Sequence, residues 1–159
     1  MIKKYDRKRA IQYAQKFALE GNPNFFEFSD VGGDCTNFIS QCLLAGGAVM
    51  NYDEFYGWFY VNSRNRSPSW TSVEYLNRFL LGRGRVGPVA KIVPIEKLEI
   101  GDLIQLRQNP FRFNHSVIIT KIENGEIYVC AHTDDSLNRP LSTYSYLEAI
   151  GLHIEGIEV

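Results

Sequence analysis

The spacing of apolar residues changes character halfway along this chain, and that change limits the fold more than any other feature. In the first half, apolar residues recur every three to four positions, the repeat that gives a helix one buried face. Ala10, Ile11, Ala14, Phe17 and Ala18 predict a helix over residues 6–20, with Asp6 to cap its start and Gly21, then Asn22-Pro23, to end it. A second helix is predicted from Asp34 to Ala45, on Phe38, Ile39, Cys42 and Leu43. Asp34 is its expected N-cap and Gly46-Gly47 its stop. A third is expected from Thr71 or Ser72 to Leu81. Residues 48–70, rich in Tyr, Trp, Phe, Asn and Ser, read as a long irregular loop.

The second half reads as strands. Val89–Ile95 and Leu103–Leu106 are apolar runs of strand length, and Ser116–Ile122 with Ile127–Ala131 flank Asn124-Gly125, a strong hairpin turn. A short helix near Tyr144–Ile150 and a last strand, Leu152–Val159, are expected to follow. Helices first and strands second predicts an α+β fold. The length, 159 residues, suits one domain over 1–159. A chain of this size buries about 68–70% of its unfolded surface, enough to fold without metal or disulfide.

Charge and cysteine usage narrow the function. The net charge of -1 offers no field to hold nucleic-acid phosphates. The basic start, Lys3-Lys4-Tyr5-Asp6-Arg7-Lys8-Arg9, is followed by no apolar run, so it reads as the solvated face of a helix rather than a signal peptide. No stretch is long and apolar enough to span a membrane. The expected location is therefore cytoplasmic, with another export route left open. Three cysteines, Cys35, Cys42 and Cys130, argue for free thiols. Without a Cys-x-x-Cys pair or histidines at ligand spacing, no metal and no cofactor is expected.

Cys35 is the sharpest chemical feature. It falls at the first turn of the second helix, where unpaired N–H groups and the helix dipole favour a thiolate and can hold an oxyanion. Gly32-Gly33 before it allows close approach. Cys42 lies mid-helix and Cys130 within a strand, both structural. His115 opens one strand of the hairpin and His132 follows the other, so both reach the same end of the pair. One ring can take the thiol proton while a second polar group orients it, and Asp134 or Asp135 could replace His132 in that task. His153 and Asp102 read as structural, Asp102 as a turn residue. Tyr56, Trp58 and Trp70 either line a substrate groove or pack the long loop onto the core.

The segment Gly32-Gly33-Asp34-Cys35-Thr36-Asn37-Phe38-Ile39-Ser40-Gln41-Cys42-Leu43 resembles the signature of the Putative amidase domain family. The likeness extends to Tyr5-Asp6-Arg7, Ala14, Asn22-Pro23, Trp70, Gly101-Asp102-Leu103-Ile104, His115-Ser116 and Ala131-His132-Thr133. That family is similar to the NlpC-type and CHAP-type cell-wall hydrolases, which have a papain-like fold. The resemblance implies a Cys-bearing helix packed on an antiparallel sheet carrying His. It implies Cys35 as nucleophile, His115 as general base, His132 as the third polar group and Asp34 as a residue shaping the substrate site. The expected activity is hydrolysis of an amide bond, with a peptide or muropeptide as substrate. A catalytically idle binding module and an acyl transferase of transglutaminase-like type are the alternatives.

Overall fold

The computed structural model describes residues 1–159 and is α+β. The chain order is β1 (Ile2–Lys3), α1 (Arg7–Phe17), α2 (Cys35–Ala45), β2 (Tyr60–Asn62), β3 (Asn65–Arg66), α3 (Pro68–Thr71), α4 (Val73–Leu81), β4 (Gly87–Val93), β5 (Leu103–Arg107), β6 (His115–Glu123), β7 (Glu126–Ala131), β8 (Ser136–Pro140) and β9 (Glu148–Glu158). Seven strands form one antiparallel sheet in the order β1-β9-β5-β6-β7-β8, with β4 also on β9. No helix is long and apolar enough to cross a membrane.

The pleat divides the apolar residues of each strand between two faces. Leu103, Ile118, Cys130, Leu152 and Ile154 meet α1, α2 and α4 in the larger core. Ile104, Leu106, Val117, Ile119, Val129 and Ala131 point the other way, under Leu98, Leu141 and Tyr144. The α2 helix is buried from Cys35 through Leu43, so its polar residues Thr36, Asn37, Ser40 and Gln41 are inside as well. The one-sided stripe expected of it understates this burial.

Local signals fared well where the chemistry was local. Asp6 accepts from the Arg9 N–H and caps α1, Ser72 caps α4, and Asn124 and Gly125 take the positive φ of 52° and 78° that the hairpin turn demands. Two expectations need correction and a third needs extending. The segment expected as a helix near Tyr144–Ile150 is extended, because Glu148, Ala149 and Ile150 pair with Arg107, Leu106 and Gln105 of β5. The loop 48–70 holds a small hairpin and a helical turn. Asp102 does more than close the turn from Glu99: it is fully buried, and its carboxylate accepts from Arg7, His153 and the amides of Glu99 and Ile154.

The Asp102 cluster explains two stretches of the family-like pattern. Arg7 reaches Asp102 at 2.7 Å and the carbonyls of Ile100 and Ile154, while the Tyr5 hydroxyl donates to the Gly101 carbonyl at 2.9 Å. Tyr5-Asp6-Arg7 and Gly101-Asp102 thus lock the start of α1 to the sheet and bring no chemistry to the site. Tyr5→Phe removes one buried hydrogen bond and is expected to cost about 1–2 kcal/mol. Urea denaturation should show a lower midpoint at unchanged slope.

Candidate active site

Cys35 is the first residue of α2 and is 7% exposed. Its approach is fixed by Gly32 and Gly33, at φ 87° and 103°, a region where a side chain would be strained. Asp34 precedes it as N-cap, yet its side chain makes no capping hydrogen bond. One Asp34 oxygen accepts from the Phe28 amide and from Asn37 Nδ2, and the other meets His132 Nδ1 at 2.6 Å. With the carboxylate drawn away, the first N–H groups of α2 stay clear of it beside the sulfur.

The sulfur meets the backbone on both sides of His115, at the start of β6. It lies 3.9 Å from the Asn114 carbonyl oxygen, and the Ser116 amide donates toward it. Thr36 Oγ1 is 3.8 Å away and also contacts Ser116 Oγ, which accepts from Gln105 Nε2. A cleft of about 260 Å³ opens onto the sulfur, walled by Gly32 and Gly33, by Thr71 to Glu74, and by Arg112, Phe113 and Asn114.

His115 is 5% exposed, and its ring lies 5.8 Å from that of Tyr144. Its nitrogens have no protein partner. Every fully buried side-chain nitrogen and oxygen in the molecule is hydrogen-bonded, so the His115 nitrogens open to solvent. The thiol and the ring make no hydrogen bond with each other.

Burial sets the charge state. It lowers the His115 pKa from 6.5 to about 4, helped by Arg139 and opposed by Asp134. It raises the Cys35 thiol, against donation from the Ser116 and Thr36 amides and the Thr36 hydroxyl. The pair therefore rests as thiol and neutral imidazole at pH 7. The thiolate expected from helix position alone is outweighed by desolvation. The unfolded ring takes its proton near 6.5 and the folded ring near 4, so stability falls as pH falls through that window. An NMR titration should give a His115 midpoint near 4; a midpoint near 6.5 would contradict this burial.

The structure separates the two hairpin histidines. Ile118 pairs with Cys130, so His132 continues the register opposite Ser116, on the helix face. Its ring stacks on Phe38 at 4.0 Å, with Nδ1 on Asp34 and Nε2 on the Phe17 carbonyl at 2.7 Å. Both nitrogens are occupied, so His132 is corrected from a group orienting His115 to a partner of Asp34. The histidines do share one end of the hairpin, as expected, but on opposite faces of the pleat. Asp34 correspondingly holds the loop before Cys35 and is turned away from the cleft. Asp134 is the acidic group nearest in effect to His115, and it is tied to Arg139 at 2.8 Å.

Of the two readings of the aromatic segment, substrate groove or core packing, the structure takes packing for Trp58 and Trp70. Trp58 and Trp70 are fully buried, 4.8 Å apart, with their Nε1 groups on Ser40 and Asn37. They anchor the 48–70 segment to α2. Tyr56 is exposed but lines a different cavity. Sequence reasoning missed Thr36, Ser116 and Asn114, whose small polar side chains or backbone touch the sulfur, and Arg112, an isolated loop residue with no pattern around it.

The Cys35 sulfur thus meets the backbone on both sides of His115, while the His115 ring lies on the other face of the sheet beside Tyr144. The chain belongs to the family described as Putative amidase domain, whose model matches residues 4–155. It is 38% identical over 139 residues to the uncharacterized protein YhbB of Bacillus subtilis (strain 168), a match covering 85% of this chain and 43% of the relative. The uncharacterized protein YjcM of the same organism is 29% identical over 147 residues, covering 87% of this chain and 33% of its own length. The chain thus spans less than half of either relative. No solved structure matches it.

Proposed function

We propose that the chain is a cysteine hydrolase of papain-like arrangement that cuts an amide bond in a peptide, with muropeptides as the substrate class. The observation that carries this reading is the Cys35 sulfur, held at a helix start against the backbone on both sides of His115, with an open cleft above it.

His115, neutral at pH 7, accepts the thiol proton as the sulfur attacks the amide carbonyl. The Cys35 N–H, at the uncapped start of α2, meets the developing oxyanion. The carbon–nitrogen bond breaks, and His115 returns the proton to the leaving amine. Water then hydrolyses the thioester, releasing the acid and restoring the thiol. In this reading the His115 ring turns from its place beside Tyr144 toward the sulfur when substrate binds, as catalytic contacts often form fully only in the complex.

One observation favours a second reading. A raised thiol and an unprotonated, uncoupled imidazole also suit an idle binding module that keeps the fold. Labelling with an amide-bearing epoxide, read by mass spectrometry, separates the two. The hydrolase modifies Cys35, spares the fully buried Cys42 and Cys130, and loses the reaction when His115 becomes Gln. An unlabelled Cys35 in folded protein favours the module.

A further inference from the structure

We infer that the substrate carries a carboxylate close to the scissile bond and that Arg112 binds it; this deepens the hydrolase reading and rests on it. The chain has ten arginines, and eight of them hold a carboxylate, a carbonyl or a hydroxyl. The guanidinium groups of Arg64 and Arg112 have no partner, and of these only Arg112 lines the cleft that opens on Cys35. It also lines the adjoining cavity of about 430 Å³, with Phe111, Phe113, Gln105 and Ile150.

The remaining charges along this path do not compete with it. Glu74 is shared by both cavities, but its carboxylate is taken by Arg78 at 2.6 Å. Glu74, Arg78 and Arg112 together leave one positive charge, at Arg112.

The loop that carries Arg112 is held in shape before any ligand arrives. Asn109 Oδ1 accepts from the amides of Phe111 and Arg112. Gln108 and Asn114 exchange two hydrogen bonds across the loop base, and the Asn114 amide donates to Leu106. That base delivers the Asn114 carbonyl to the Cys35 sulfur and starts β6 at His115. A free guanidinium is thereby mounted a short, fixed distance along the chain from both reacting groups. Phe111, 89% exposed, stands next to it as a bare ring. Arginine beside an aromatic ring suits a planar carboxylate on an otherwise apolar or amide-rich substrate.

The test uses iodoacetyl-glycine and its neutral twin, iodoacetyl-glycinamide, on the intact protein. In each case the Cys35 sulfur forms a bond to the methylene carbon, iodide leaves, and the thiol proton passes to base. The rate ratio of the two reagents, divided by the same ratio for N-acetylcysteine, isolates the contribution of the protein. We expect the acid to be favoured about tenfold, a preference lost in Arg112→Ala and partly kept in Arg112→Lys. Equal normalised rates, or a preference that survives Arg112→Ala, would overturn the assignment of Arg112 and leave the hydrolase reading intact. Failure of the neutral reagent to modify Cys35 would overturn both.

Discussion

Cys35→Ala is expected to lower turnover at least about 10³-fold, the scale of losing the nucleophile of a covalent mechanism, while the thermal midpoint stays within a few degrees. Fold and chemistry separate here because the sulfur's neighbours are the carbonyl of Asn114, the hydroxyl of Thr36 and two amides, none of which depends on it for its place in the fold. His115→Gln should fall by a similar factor, and the double variant by little more, since the proposed mechanism uses the two as one unit. Measured on the wild type, the acid limb of kcat/KM should lie near pH 4, following the lowered His115 value. An active Cys35→Ala protein would end the nucleophile assignment.

The second large effect is expected at the Asp34–His132 pair. Both side chains are almost fully buried, at 2% and 6% exposure. The Asp34 carboxylate and the Phe17 carbonyl can only accept, so both ring nitrogens must donate, which requires the imidazolium. Burial opposes that charge, and the Asp34 and Phe17 hydrogen bonds with the Asp34 charge overcome it, so the His132 pKa is raised. Its stabilising contribution is complete below the unfolded value of 6.5 and is lost as pH rises through the higher folded value. Asp34→Ala leaves this cation unpaired and also frees the Phe28 amide and Asn37, so a loss of about 3–5 kcal/mol is expected. Denaturant melts at pH 6 and pH 9 should show a smaller difference between wild type and variant at the higher pH. A variant as stable as the wild type at pH 6 would refute the charged pair.

Cys35, His115, the helix that carries one and the hairpin that begins with the other could all be placed from residue spacing. A cysteine after Gly-Gly-Asp and a turn at Asn124-Gly125 are local statements, and local chemistry decides them. Faces and partners were harder. A one-residue difference in pleat parity turned His132 from the expected orienting group into the partner of Asp34, and parity depends on register that turn residues alone do not report. For Trp58 and Trp70 the sequence left groove lining and core packing both open. They are core residues because Asn37 and Ser40 of α2 supply their indole partners. A short helix was expected near Tyr144–Ile150, but pairing of Glu148–Ile150 with β5 decided the conformation there. Arg112 carries no pattern at all, and its standing comes from its place on the cleft and from the bonds that occupy eight of the other nine arginines.

The β9 strand has a bearing on how this molecule is made. It bonds to β4, β5 and β1, strands drawn from the beginning and middle of the chain, and the amino group of Met1 reaches Glu158 at 2.8 Å. During synthesis the ribosome releases Glu148–Glu158 after every one of its partners, so the nascent sheet must wait with unfilled edges until that segment emerges. Sheet assembly is then a late, largely all-or-none event dominated by distant pairings, and it should be slow for a domain of this size. A translation stall before Glu148 would leave β4 and β5 without their shared neighbour, a species for chaperones rather than a partly folded domain.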